Sequence, residues 1–311
     1  MLCSMELSRT LKNARIFRAV TGMTPEEFTQ LIPIFTEVLV STALSKPGRQ
    51  RAHGGWRKWN MINGVTIKDP AQKLFFILVF MKVYPTYDLT AYMFGSSRTR
   101  AYYRVQELLP VLSKTLGRTL SLPARQISTP EEFFFLFPGV KEVMIDGVER
   151  PSVRRKKPKM QTKNYSGKKK WPRRKNTIMS DIKKRILYLS PTKNGKLHDK
   201  KQIDKTTIIS HVPEEITIFV DSGYQWIQHH HRNLFMPKKN SKKYPLTKEQ
   251  KEENHIISSI RVVIENTICL MKRFKTAGDI FRWRKWQDDT YMETCAWLSN
   301  FHLQMRECGI S

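Results

Sequence analysis

Residues 142–147 read Glu142-Val143-Met144-Ile145-Asp146-Gly147, and residues 215–223 read Glu215-Ile216-Thr217-Ile218-Phe219-Val220-Asp221-Ser222-Gly223. Each is a short apolar run that stops on an aspartate followed by a small residue, the pattern of a buried strand ending on an acid. Strand ends in an α/β sheet project side chains into the crevice outside the sheet, where ligands bind, and hard cations there take carboxylate oxygens. Either acid alone also reads as a turn former, because Asp hydrogen-bonds its own backbone. Recurrence of the pattern is what points to a site.

A third acid lies on a helix spanning Asn254 to Phe274. At 100° per residue its polar side chains Asn254, Ser258, Arg261, Glu265 and Lys272 fall on one narrow stripe. Ile256, Ile257, Ile260, Val263, Ile264, Leu270 and Met271 take the other directions, so the helix is expected to be buried on most sides with a single polar seam. A carboxylate in such a seam must be paired or bind a metal. The alternative is an intrahelical Arg261–Glu265 pair of small worth.

Between the two acid-ending runs, Asn176 to Ser180 and Arg185 to Ser190 read as a hairpin, and His198 to Lys205 as a helix. Residues 154–175 carry twelve Lys or Arg and no acid, among them Lys168, Lys169, Lys170, Arg173 and Arg174. Such a stretch cannot build a core alone and is expected to be a solvated arm awaiting phosphates. His229-His230-His231 point in different directions and are expected in a solvated or DNA-facing loop rather than on a metal. Arg282-Trp283-Arg284-Lys285-Trp286 mixes cations with aromatics, which suits DNA backbone or a flipped base, with Trp283 and Trp286 as the stacking rings. Packing against the domain accounts for it equally well.

Residues ahead of Leu122-Pro123 are mostly helical in pattern, so the chain is expected to divide into a helical domain, 1–122, and an α/β domain, 123–311. Thr24-Pro25-Glu26-Glu27 is a helix start before Phe28, Leu31, Ile32, Ile34 and Phe35. Between Ser45 and Pro70 the pattern reads as a Gly- and Arg-rich loop, either solvated or touching DNA backbone or minor groove. Helices are then expected over Gln72 to Val83, Thr86 to Phe94 and, after Gly95-Ser96-Ser97, Arg98 to Leu116. The last two make a helix-turn-helix pattern whose second helix would carry Arg98, Arg100, Tyr102 and Arg104 into a major groove. A helical hairpin that merely packs remains the competing reading.

The whole chain of 311 residues has 55 Lys and Arg against 27 Asp and Glu, a formal charge of +28, which calls for a polyanionic partner. Its longest apolar run, Leu74 to Met81, is far short of the ~20 residues that span a bilayer, so a core helix is expected and no membrane partner. Arg9, Lys12, Arg15 and Arg18 interrupt the N-terminus, so no secretory signal is expected there. Cys3, Cys269, Cys295 and Cys308 show no metal-ligand spacing and read as reduced thiols of a cytoplasmic protein.

Two or three carboxylates among such charge can bind two Mg²⁺ ions, with Mn²⁺ as a substitute, roughly 4 Å apart. The order of the motifs resembles the DDE transposases of bacterial insertion sequences in the insertion-sequence-five group, related to the eukaryotic Harbinger elements. The resemblance rests on Asp146-Gly147-Val148-Glu149-Arg150-Pro151, Tyr165-Ser166-Gly167-Lys168-Lys169-Lys170, Leu187-Tyr188-Leu189-Ser190, His198-Asp199-Lys200, Asp221-Ser222-Gly223-Tyr224-Gln225, Arg261-Val262-Val263-Ile264-Glu265 and Lys272-Arg273-Phe274-Lys275. Trp226 departs from the family pattern.

The resemblance implies a ribonuclease H-like mixed sheet with flanking helices, preceded by an all-α helix-turn-helix domain. It also implies metal ligation by Asp146, Asp221 and Glu265, with Asp146 bridging two ions. Arg261 and Lys272 would steady the glutamate or bind phosphate, and His198 and Asp199 would support the site. The implied activity is transposition: binding of terminal inverted repeats, then metal-dependent cleavage and strand transfer into target DNA. Joining two ends implies a homodimer on double-stranded DNA, and a nucleoid location if the chain is bacterial. The competing function is a DNA-binding protein built on a retired transposase scaffold.

Overall fold

Residues Leu74–Met81 are almost wholly shielded from water on every side of their helix. Eight consecutive apolar side chains leave no polar face to turn outward, so the segment must run through the middle of a core. In the computed structural model, residues 5–44, 67, 69–119, 123–156, 158–167, 169–196, 208–221, 223, 230–240, 245–282 and 287–310 are described. The chain forms two units. One comprises Met1–Leu120, Arg273–Thr276 and Glu293–Ser311, and the other Ser121–Lys272 and Ala277–Met292.

The first unit is helical: α1 (Leu7–Leu11), α2 (Ala14–Thr21), α3 (Pro25–Leu44), α4 (Pro70–Val83), α5 (Tyr87–Met93) and α6 (Arg98–Thr119). Helix α3 opens with a reciprocal cap, in which the Thr24 amide donates to Glu27 Oε2 at 2.8 Å and the Glu27 amide to Thr24 Oγ1 at 3.2 Å. Glu27 is itself buried, and its other oxygen lies 2.5 Å from His302 Nδ1. Phe28, Leu31, Phe35 and Val38 bury one face of α3, while Ile32 and Ile34 are only partly covered. Helices α2, α3 and α6 all pack on α4. Gly22, at φ +77°, ends α2 in the left-handed region, where Phe274 leaves no space for a Cβ.

The second unit is a mixed sheet with helices: α7 (Pro130–Leu136), β1 (Glu142–Pro151), α8 (Pro158–Asn164), β2 (Tyr165–Ser166), β3 (Trp171–Asp181), β4 (Ile186–Leu189), β5 (Lys193–Asn194), β6 (Thr217–Val220), β7 (Leu234–Phe235), α9 (Lys248–Lys272), α10 (Lys275–Gly278) and α11 (Asp288–Glu307). Residues of α10 and α11 are divided between the units. The strand order is β2-β3-β1-β6-β7, with β4 and β5 also pairing β3. Strand β1 is antiparallel to β3 and parallel to β6, and β6 is parallel to β7. Val143, Ile145, Ile218 and Val220 enter an apolar cluster with Phe133 and Met179. Among the described residues no helix is long and apolar enough to cross a membrane.

Three local expectations are corrected. Strand β1 does not stop at Asp146 but runs on to Pro151, because its antiparallel pairing with β3 continues from Asp146–Ile178 to Pro151–Arg173. Strand β3 likewise begins at Trp171, not Asn176, so its first residues come from the basic stretch. Helix α9 buries Ile257, Ile264, Thr267 and Met271 on one stripe and leaves Ile256 and Val262 60% and 49% exposed. It is covered on one face instead of most sides.

Candidate active site

Strand β6 pairs with β1 through Ile145–Val220 and then ends. The next residue on each strand is an aspartate, Asp146 on β1 and Asp221 after β6. Neighbouring strands lie about 4.8 Å apart, so the two acids start from adjacent backbone positions. Strand β1 continues along β3 while its β6 side falls open, and this fork is where Asp146 stands. Side chains alternate along a strand, so with Ile145 in the apolar cluster Asp146 points to the opposite face. Both carboxylates are half-buried, and the Gly147 amide donates to Asp146 Oδ1 at 2.7 Å.

Helix α9 packs on β1, β3 and β6 and brings cations to these acids. Arg261 Nη1 lies 3.1 Å from Asp221 Oδ1, with the two side chains 20% and 36% exposed. Burial pushes the Lys272 ammonium below its usual range and Arg173 adds to this, while Cys269, Glu149 and Asp146 pull it back. The polar seam therefore borders the buried stripe. Measured from Ile264 at 100° per residue, Arg261, Lys272 and Glu265 lie roughly 60°, 80° and 100° away. Glu265 is the furthest round and is exposed. Among the described residues no three His, Cys, Asp or Glu side chains lie close enough together to hold a metal ion. The two aspartates are thus neighbours, Arg261 pairs with Asp221, and Glu265 stays at the rim.

Two residues of the Asp146-to-Pro151 run that carry no role in the sequence reading act beside the site. Glu149 lies 3.0 Å from Lys175 Nζ and 3.5 Å from Arg173 Nε. Arg150, opposite Arg174 in the β1–β3 register, is 1% exposed. Both guanidinium groups converge on Asp288 in the first turn of α11: Arg174 Nε at 2.5 Å, and Arg150 through an ion pair and a 3.2 Å bond to the Asp288 carbonyl. The Arg150 guanidinium also lies over the Phe281 ring, 4.3 Å from its centre. Two arginines facing each other across strands signal a required acid, but Asp288 lies 114 residues from Arg174.

Other candidate residues are placed as follows. Arg174 is buried and paired, contrary to a solvated arm, and burial pushes its guanidinium down to about 10, so it stays charged at neutral pH. Arg173 faces Glu149, whereas Lys169 and Lys170 are exposed. Arg98 and Arg100 are exposed at the start of α6, Arg98 at 3.7 Å from Asp88. Tyr102 is half-buried and edge-on to Tyr87, and Arg104 is half-buried, its charge disfavoured by burial and by Arg100. His231 is buried, its Nε2 2.9 Å from the Pro213 carbonyl, so it is not in a solvated loop. His198, Asp199, Lys168, Trp226, His229, Trp283 and Trp286 lie outside the described residues.

Two neighbouring aspartates, one within β1 and one just after β6, beside a helix that carries Arg261 and Lys272 suit metal-assisted phosphoryl transfer. The chain belongs to the DDE superfamily endonucleases, whose family description matches residues 145–300, half of the sequence. It is also 24% identical over 296 residues to a protein of Microchaete diplosiphon named "Probable transposase for insertion sequence element IS702", covering 94% of this chain and 96% of that one. No solved structure matches the chain.

Proposed function

We propose that the chain is the transposase of a mobile element of the insertion-sequence-five group, with Asp146, Asp221 and Glu265 as its catalytic acids. The observation that carries this is the position of Asp146 and Asp221, each one residue beyond the last β1–β6 pair, beneath a helix that supplies Arg261, Glu265 and Lys272. A ribonuclease H-like fold for the second unit is supported by the sheet, in which antiparallel β4, β3 and β1 are followed by parallel β6 and β7. Helices α5 and α6, with Gly95 at φ +56° between them, support a helix-turn-helix in which Arg98, Arg100, Tyr102 and Arg104 read terminal inverted repeats.

Asp146 and Asp221 offer hard oxygen ligands on one face, both reachable from solvent, which suits a divalent metal, and Glu265 would have to move in from the rim to be the third ligand. Two bound Mg²⁺ or Mn²⁺ ions would activate water or a 3′-hydroxyl and stabilise the leaving oxygen of an in-line displacement. The chain's own residues set this up. The Gly147 amide orients Asp146, and Arg261 holds Asp221 turned toward the helix. Lys272 and Arg173 place positive charge where the scissile phosphate would lie, and Lys169 and Lys170 neutralise phosphates further out. His198 and Asp199 keep their positioning role on the resemblance alone. The working form is a homodimer on double-stranded DNA, since two ends are joined.

Asp146→Asn and Asp221→Asn are expected to abolish Mg²⁺-dependent nicking and joining of a duplex bearing the element's ends, with binding to those ends retained; Glu265→Gln is expected to do the same. Retained cleavage by the Asp146→Asn protein overturns the site. Intact binding with no nicking by the unmodified protein, in Mg²⁺ or Mn²⁺, points instead to a retired scaffold.

A further inference from the structure

Residues 273–276 belong to the helical unit and are fastened there to the ends of α2 and α4. Thr276 Oγ1 donates to the Met81 carbonyl at 3.0 Å and Lys82 Nζ to the Arg273 carbonyl at 2.9 Å. A Cβ on Gly22 would meet both the Phe274 ring, at 2.7 Å, and the Lys82 stem, at 3.3 Å, so the three segments touch closely. This fastening gathers four cations: Arg18 in the last turn of α2, Lys82 in the last turn of α4, and Arg273 and Lys275 between them. Arg18 and Lys275 are exposed, and Lys82 and Arg273 are half-buried.

The group is short of negative charge. Burial pushes the Lys82 ammonium below its usual range, and Arg273, Lys275 and Arg18 each push it further. Burial likewise brings the Arg273 guanidinium down to about 10; Glu27 opposes this and Arg18 adds to it. Glu27 is already engaged, one oxygen taking the Thr24 amide and the other lying on His302. Arg273 Nε and Nη2 are shielded from water and have no hydrogen-bond partner among the described residues. These two nitrogens form one edge of the guanidinium, the fork that takes two oxygens of a single phosphate. An unpartnered polar edge is costly where it stands, and it loses no bond by turning outward to such an ion. A carboxylate would serve the fork alone, whereas a phosphate has oxygens left for Lys82 and Arg18. We propose that Arg273, Lys82 and Arg18, with Lys275 at the edge, form a site for one phosphate group, carried by a DNA backbone or free in solution; the DNA form rests on the reading of DNA as substrate.

Thermal melts of the full chain in sodium phosphate and in sodium chloride of equal ionic strength, with duplex binding by fluorescence anisotropy over a range of salt, test this. Phosphate also raises melting temperatures by exclusion from any protein surface, so the reading is the difference between proteins. The rise in phosphate over chloride should be about 2–4 °C larger for the unmodified chain than for Arg273→Gln. Arg18→Gln, a change at an exposed position, should lose part of the same rise, which keeps the question answerable if Arg273→Gln folds poorly. Lys12→Gln removes an exposed cation of the same unit that is not among those acting on Lys82 or Arg273, and it should lose none. With duplex, Arg273→Gln should lower the slope of log affinity against log salt by about 1 where the phosphate is that of DNA. An unchanged slope with a diminished phosphate rise keeps the site and makes free phosphate its ligand. An undiminished rise in both Arg273→Gln and Arg18→Gln overturns the site, as does an equal loss in Lys12→Gln, which reduces it to general charge. An unmodified chain that neither binds nor cleaves duplex, yet keeps a phosphate rise that depends on Arg273, brings down the proposed function and leaves the site, whereas end-duplex cleavage with no such dependence removes the site only.

Discussion

The basic stretch from Arg154 to Lys175 holds two opposite environments for the same kind of charge. At the β2–β3 tip Lys169 and Lys170 stand in water, and a few residues along the chain Arg174 and Lys175 are 5% and 7% exposed. Local composition does not separate them. What does is the arrival of acids from elsewhere: Glu149 from β1 beside Lys175, and Asp288 from the start of α11 beside Arg174. A buried cation is tolerable only with a partner, so each lysine or arginine stays wet unless the fold brings it a carboxylate. A run of charge is therefore not one functional object. Its tip remains free for phosphate, and its body fastens β1, β3 and α11 together next to the candidate catalytic acids.

The contrast breaks most easily at Asp288. Asp288→Asn leaves Arg150 and Arg174 buried without a full counter-charge, and the urea midpoint should fall by the equivalent of about 3–5 kcal/mol. A loss below about 1 kcal/mol would mean that the buried half depends on packing instead of pairing. Acid titration sharpens the picture at the neighbouring Asp289. Burial pushes its carboxyl up, but Arg125 at 2.5 Å and two bonds from Thr192 pull it down by more, so it sits below the usual carboxylate range. A depressed folded value gives stability that is present above the unfolded value near 3.9 and lost as pH falls through the folded one. The advantage of the unmodified protein over Asp289→Asn, on the order of 1 kcal/mol, should thus be seen near neutrality and shrink in thermal melts below about pH 4. The exposed half should respond least. Lys169→Gln/Lys170→Gln is expected to shift stability by no more than about 0.5 kcal/mol, yet to lower the slope of log affinity for duplex against log salt by about 1–2. A large stability change there would erase the distinction between tip and body.

Much of both units was legible in the sequence because the signals are local. Apolar runs ending on Asp146 and Asp221 mark strands, Thr24 to Glu27 mark a cap, and Leu74–Met81 mark a buried helix, each through short-range periodicity or a backbone donor that a nearby side chain satisfies. The helix carrying Glu265 was legible as a helix but not in its burial. Apolar residues all round it suggested a nearly enclosed rod, whereas the sheet covers only the Ile257–Ile264–Met271 stripe and leaves Ile256 and Val262 in water. His231 went the other way: three histidines in a row read as a wet loop, and the Pro213 carbonyl drew the third inside.

By itself, then, the sequence determined which segments are strands and helices, where the acids fall on them, and that a polyanion is the fitting partner for a charge of +28. Only the tertiary structure decided who meets whom. It set β1 beside β6 in the register that makes Asp146 and Asp221 neighbours, gave Arg261 to Asp221 instead of to Glu265 one turn away, and closed two facing arginines around Asp288. Periodicity fixes an element through contacts a few residues apart. A charge pair is fixed by whichever partner the folded chain carries to it, and from Arg174 to Asp288 that partner is 114 residues away.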